Sequence, residues 1–314
     1  MQKLSAAPAT IADFAQIIRA GGLVAFPTET VYGLGADASS SEAVLAIYET
    51  KGRPRFNPLI VHCADFAMAE MLVVFSPVAR RLATLWPGPL TLVLPKRRGA
   101  PLSDLITAGL DTVGIRIPRH PLALDLIATA GRPIAAPSAN PSGRLSPTTA
   151  GQVIAGFGGR VPVLDGGPCA AGVESTILRV EGDSVVQLRP GALPRAELEA
   201  IIGGPVGTIA TGHGILAPGM MSSHYAPRAR LRLEAMAPRG GEAYLGFGPS
   251  PTGWRGPLRN LSPGSDLREA ARNLFSMLNE LDGEGAETIA VAPVPPTGLG
   301  EAINDRLARA AAPR

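Results

Sequence analysis

The chain has 314 residues, 46% of them apolar and 18% charged, with a formal net charge of +3 and a pI near 9.1. This balance is too apolar for a disordered chain, the length exceeds what one hydrophobic core usually serves, and the small positive excess does not by itself imply nucleic-acid binding. No run approaches 18 apolar residues, residues 1–7 have no apolar core of signal-peptide length, and Cys63 and Cys169 form neither a disulfide framework nor a metal spacing, so a cytoplasmic protein of two domains with no membrane contact is expected.

Taken in chain order, the pattern alternates helices and strands. Thr10 caps a helix with Ile11, Phe14, Ile17 and Ile18 on one face, stopped by Gly21-Gly22. A buried strand over 23–26 runs into Pro27-Thr28-Glu29-Thr30, and Ser41 opens a helix that ends at Lys51. The next strand covers 58–63, and Ser76-Pro77 starts a helix that reaches Trp86. Strands follow over 90–94, 113–117 and 133–136, then a helix from near Ser146, then a β-rich stretch through 161–164, 175–180 and 185–188. This interleaving predicts an α/β fold, and the irregular strand spacing predicts a twisted mixed sheet. From 203 to 228 no period is visible, which reads as a long connector. A smaller α/β unit follows, with strands over 243–247 and 288–292, a helix capped by Ser265 and a last helix near 302–310.

The common nucleotide and hydrolase motifs are missing: no P-loop, no dinucleotide fingerprint, no H-E-x-x-H and no G-x-S-x-G. The four histidines, His62, His120, His213 and His224, have no ligand spacing. Polar residues instead gather at the ends of apolar strands, where α/β sheets bind ligands. Thr28, Glu29 and Thr30 end one strand, His62 closes another, and Ser138 and Asn140 follow a third. Arg116 lies between Ile115 and Ile117, so it either reaches a carboxylate or phosphate or occupies the wet face of an alternating strand. Lysine is scarce: Lys3, Lys51 and Lys96 leave 26 of 29 basic residues (29 minus 3) as arginine. Lys51 stands two residues before Arg53 on a Gly/Pro-punctuated turn, a point charge beside a planar fork. That pair suits a polyanion such as a triphosphate, and it also suits a solvated surface turn.

Lys51-x-Arg53 with Ser138-x-Asn140 resembles the polar tetrad of the YrdC-like family. Phe26-Pro27-Thr28-Glu29-Thr30-Val31-Tyr32-Gly33-Leu34, Arg53-Pro54-x-x-Asn57-Pro58-Leu59, Trp86-Pro87-Gly88-Pro89-Leu90-Thr91 and Arg116-x-Pro118 match its pattern in order. The resemblance implies a YrdC-like catalytic domain over 8–202, a connector or lid over 203–228, and a small Rossmann-like domain over 229–314. This is the plan of the two-domain branch, the threonylcarbamoyl-AMP synthases. The implied reaction joins L-threonine, bicarbonate or CO2 and ATP into L-threonylcarbamoyl-AMP and pyrophosphate. A downstream transferase then moves the threonylcarbamoyl group to the tRNA adenosine beside the anticodon. Lys51, Arg53, Ser138 and Asn140 are the implied catalytic set. Lys51, Arg53, Asn57, Thr112, Ser138, Ser146, Arg189 and Tyr225 would bind ATP. Thr30, His62, Arg116, Ala136 and Ser175 would bind threonine, with Arg116 on its carboxylate. Mg2+ would arrive on the ATP phosphates, without a protein cage. Lys51 and Arg53 are expected to face phosphate from a surface turn, where substitution costs little stability. The connector is expected to cover the site, with Gly212, Gly214 and Gly219 as its joints. The alternative reading is a non-catalytic RNA-binding module using a basic concave face, with weak tRNA contact.

Overall fold

The computed structural model describes residues 10–208 and 216–313. Among these, nine strands form one large sheet: β1 (Val24–Phe26), β2 (Gly33–Asp37), β3 (Ile60–His62), β4 (Leu90–Pro95), β5 (Thr112–Arg116), β6 (Ile134–Ala135), β7 (Thr176–Glu181), β8 (Ser184–Arg189) and β9 (Gly207–Thr208). Their spatial order is β1-β2-β6-β3-β5-β4-β7-β8-β9, with parallel and antiparallel neighbours mixed, as the irregular spacing predicts. The helices α1 (Ile11–Arg19), α2 (Ser41–Lys51), α3 (Phe66–Leu72), α4 (Pro77–Ala83), α5 (Pro121–Ala130), α6 (Ala150–Phe157) and α7 (Arg195–Ile202) pack around it.

Local chemistry sets several of these boundaries. Thr10 and Asp13 form a capping box, with Asp13 Oδ2 accepting the Thr10 N–H at 2.7 Å, which fixes the start of α1 and its buried face of Phe14, Ala15 and Ile18. Gly52, in the left-handed region at φ 60°, ends α2 immediately after Lys51. α3, α5 and α7 were not anticipated. Neither was β2, whose sequence Gly-Leu-Gly-Ala-Asp carries no strand signal.

The second sheet is wholly parallel: β10 (Arg230–Arg232), β11 (Ala243–Gly246), β12 (Leu258–Asn260) and β13 (Thr288–Val291), in the order β10-β13-β11-β12. It is covered by α8 (Leu267–Gly283) and α9 (Gly300–Ala311). The cap of α8 is Asp266, not Ser265: its carboxylate accepts the backbone N–H groups of Arg268 and Glu269.

The two units are not strung apart. Val31, Leu145 and Val173 of the large unit join the core built by Leu274, Phe275 and Leu278 of α8. Gly172, at φ +74°, lies so close to α8 that a Cβ there would meet the Arg272 Cα at 2.3 Å. The connector is also less irregular than expected, since Gly207–Thr208 adds to the large sheet beside β8. Gly212, Gly214 and His213 lie outside the described residues.

Candidate active site

Sheet register brings the strand-end residues together. β3 and β5 run parallel with His62 opposite Arg116, so both side chains emerge from the same end of the sheet. β6 lies on the other side of β3 and delivers Ala136, whose N–H bonds to Ile60 O at 2.9 Å, and then Pro137 and Ser138. The last residue of β8, Arg189, is opposite Ile177 of β7, just beyond Ser175. These segments wall a single cleft. Thr28, Arg53, His62 and Arg116 line it, as do Ala136, Ser138, Ser175 and Arg189. The connector supplies Pro218, Gly219, His224 and Tyr225 to the same cleft.

The cleft is electropositive. Arg53 is buried and donates to Asn57 O at 3.2 Å and Pro58 O at 2.9 Å; burial lowers its pKa to about 10, which leaves it charged at neutral pH. Arg189 is held by Ser175 O at 2.9 Å and by Pro218 O at 3.3 Å, which ties the end of β8 to the connector. Ser175 Oγ lies 2.8 Å from Thr91 Oγ1. Arg116 is buried, not on a wet face, and its Nη2 lies 2.9 Å from Glu29 Oε2. The pair is badly aligned for a hydrogen bond, so Arg116 Nε and Nη2 and both Glu29 oxygens keep unfilled bonding capacity. A ligand carboxylate has donors waiting there. His62 is buried with Nδ1 unpartnered, and burial together with Arg116 lowers its pKa to about 3, so its ring is neutral.

Other anticipated residues stand behind the wall. Lys51 corrects the expectation of a surface turn: it is 4% exposed, and its ammonium donates to Ser138 O at 2.6 Å and to Asn140 O. It braces the 138–140 segment from α2 and does not line the cleft. Burial, with Arg53 nearby, lowers its pKa well below the usual lysine value. Asn140 donates to Pro141 O and Arg144 O, Asn57 Nδ2 meets Met221 Sδ at 3.6 Å, and Thr30 bonds to Thr28 at 2.8 Å. Thr112 begins β5, the opposite end from Arg116, and pairs with Pro95 away from the cleft. Ser146 donates to Glu174 Oε1 at 2.5 Å.

Two participants escaped the sequence reading. Glu174 lines the cleft although it was not singled out. Burial pushes its pKa up, but Arg306, Arg189 and the Ser146 hydroxyl outweigh this and bring it down to about 2. Arg306 comes from α9 of the C-terminal unit and was not singled out. The available signal was an arginine on the helix's apolar stripe of Ile303, Leu307 and Ala310.

Comparison with known proteins follows the same division. The family model Sua5–YciO–YrdC, described as "Telomere recombination", matches residues 16–191. The model "Threonylcarbamoyl-AMP synthase, C-terminal domain" matches residues 193–312. A threonylcarbamoyl-AMP synthase of Bacillus subtilis is 41% identical over 335 residues, covering 99% of this chain and 96% of its own length. One from Pyrococcus abyssi is 44% identical, covering 94% of this chain and 92% of its own. The crystal structure of P. abyssi Sua5 complexed with L-threonine superposes with a TM-score of 0.87 at 41% identity, over 96% of this chain and 94% of that one.

Proposed function

This chain belongs to the Sua5–YciO–YrdC family, and from that membership we propose that it synthesises L-threonylcarbamoyl-AMP and pyrophosphate from L-threonine, bicarbonate or CO2, and ATP. The observation that carries the reading is the joining of two kinds of group in one cleft. Arg53 and Arg189 supply fixed positive charge, and His62, Ser175 and the under-bonded Arg116 form a small polar end.

At the polar end, Arg116 receives the threonine carboxylate, and neutral His62, Ser175 and the backbone at Ala136 surround the rest of the amino acid, with Thr30 behind them holding Thr28. The amine, once neutral, adds to CO2 and loses one N–H proton to water, which gives the carbamate N-carboxythreonine. A carbamate oxygen then attacks the α-phosphorus of ATP, the bond to the β-phosphate oxygen breaks, and pyrophosphate leaves. Such a transfer asks for alignment and charge neutralisation more than covalent catalysis. Arg53, Arg189 and Ser138 serve the phosphates, while Lys51 and Asn140 hold the 138–140 segment in place. Tyr225 completes the proposed nucleotide end, with Asn57 and Ser146 behind it on Met221 and Glu174, while Thr112, at the far end of β5, takes no part in it. Residues 216–228 cover the cleft through Pro218, Gly219 and Tyr225, which would shield a hydrolysable mixed anhydride from water.

No three His, Cys, Asp or Glu side chains cluster as a metal cage among the described residues, and both oxygens of Glu174 are already bonded. Magnesium is proposed to enter as the counter-ion of ATP, with the phosphates supplying its ligands. The product is proposed to pass to a tRNA threonylcarbamoyl transferase. No helix among the described residues is long and apolar enough to cross a membrane.

Pyrophosphate release is the test: it is expected only when threonine and bicarbonate accompany ATP. Equal release without threonine, or equal efficiency with serine, would remove the assigned substrate. Arg116→Ala separates the two ends of the cleft. It is expected to raise KM for threonine by about 10²-fold, the usual scale for losing a charge-assisted bond, with a much smaller change for ATP. The reverse pattern would put phosphate, not carboxylate, on Arg116.

A further inference from the structure

The C-terminal unit sends one charged side chain to the wall of the cleft. Arg306, 1% exposed, donates from Nε to Glu174 Oε2 at 2.8 Å and from Nη1 to Asp305 Oδ2 at 2.7 Å. Its guanidinium carbon lies 5.1 Å from the centroid of the Tyr225 ring, and its Nη2 has no oxygen partner. α9 grips the connector a second time through Arg309, which donates to Met221 O at 2.5 Å and accepts the His224 N–H at 3.2 Å through its own carbonyl.

Glu174 makes this contact consequential. It is a buried anion in a cleft whose other charged lining residues, Arg53, Arg116 and Arg189, are cations. Left bare, a carboxylate there would repel a triphosphate through a medium of low effective dielectric. Ser146 occupies one of its oxygens and Arg306 the other.

We propose that Arg306 is a positioning residue for nucleotide binding: from the C-terminal unit it cancels the charge of Glu174 and holds Tyr225 over the cleft, so that the second domain sets the enzyme's affinity for ATP. The proposal rests on the reading of the cleft as an ATP site. It gives the C-terminal unit a role in substrate binding beyond that of a tether. Burial works against the charge on Arg306, yet Tyr225, Glu174 and Asp305 together keep it protonated.

Binding is measured on the full chain with a non-hydrolysable ATP analogue and, separately, with L-threonine, by calorimetry. In Arg306→Met the analogue is expected to bind more than about tenfold weaker, while threonine affinity stays within about threefold, because the freed carboxylate of Glu174 lies against Ser146 and Arg189, both proposed to serve the nucleotide. The double variant Arg306→Met/Glu174→Gln removes both charges and is expected to recover most of the analogue affinity. Equal loss of both ligands in the single variant would mean that Arg306 only stabilises the fold. Unchanged analogue binding, or no recovery in the folded double variant, would equally overturn the proposal. Should Arg306→Met not fold, Arg306→Lys carries the comparison. It keeps one cation beside Glu174 but cannot bridge two acceptors, so intermediate analogue affinity with full threonine affinity is expected, and wild-type affinity for both sinks the idea. A wild-type protein that binds the analogue but releases no pyrophosphate would refute the synthase reading while leaving the role of Arg306 to these binding data.

Discussion

Lys51→Met is expected to reduce kcat/KM by about 10²-fold, the scale of a small misplacement of substrate-positioning groups, and to destabilise the protein as well. The second effect follows from where the ammonium is spent. It donates to the carbonyls of Ser138 and Asn140, both on the segment that follows β6 into the cleft. Methionine keeps the aliphatic stem but leaves Asn140 O without its donor, at about 1–3 kcal/mol where that oxygen is buried, and Ser138 O with the Asn140 N–H at 3.0 Å alone. The Ser142 N–H still bonds to Lys51 O at 2.7 Å, the Leu34 N–H to Pro137 O and the Ala139 N–H to Tyr32 O, so the segment stays on the sheet while its turn at 138–140 loses the side-chain brace. Arg53→Ala should lose comparable activity for a different reason, since its charge faces the cleft directly. Steady-state pyrophosphate release and urea denaturation of the same preparations check both parts. Turnover within threefold of wild type, or an unchanged urea midpoint, would remove Lys51 from the role of brace.

The contrast between Lys51 and Arg53 shows where sequence reasoning stops. The Lys51-Gly52-Arg53 spacing identified the right turn, because Gly52 supplies the left-handed cap that ends α2. It could not say which charge points inward, since that depends on the carbonyls of a segment some ninety residues away (|i−j| of 87 for Ser138 and 89 for Asn140). β2 was missed for a related reason. Gly35 is small because a Cβ would meet Phe26 Cε1 at 2.7 Å and Ile134 Cγ2 at 2.8 Å, a cross-strand constraint that locally reads as loop composition. Thr10, Ser76-Pro77 and the last helix were legible because their signals are local. The Glu174–Arg306 pair joins residues 132 apart through the docking of two domains, so an arginine on an apolar stripe flags Arg306 but nothing local names its partner.

Acidification is expected to destabilise this protein well before its carboxylates titrate. His62 and His224 are 3% and 7% exposed, and each has a pKa lowered from 6.5 to about 3. Burial is the main cause for both. Arg116 adds to it at His62; at His224 the cations Arg53, Lys51 and Arg189 add to it and Glu174 opposes them. Below pH 6.5 the unfolded chain binds protons at these two positions that the folded chain refuses, so stability falls as pH drops. Each histidine contributes a slope of about 1.4 kcal/mol per pH unit, and two units of acidification therefore remove about 5 kcal/mol. That is a large share of a typical domain's total stability. Glu174, lowered from 4.5 to about 2, acts in the same direction but only below pH 4.5, so it does not contribute to the first part of the fall. His120, lowered by burial as well, adds to the slope in the same window. The urea midpoint measured from pH 7.5 to 4.5 should decline steadily, and the decline should shrink by a third to a half in His224→Gln, which cannot titrate. A midpoint that stays flat to pH 4.5 would mean that both rings are solvated or paired in solution, and the neutral wall assigned to the cleft at His62 would fall with it.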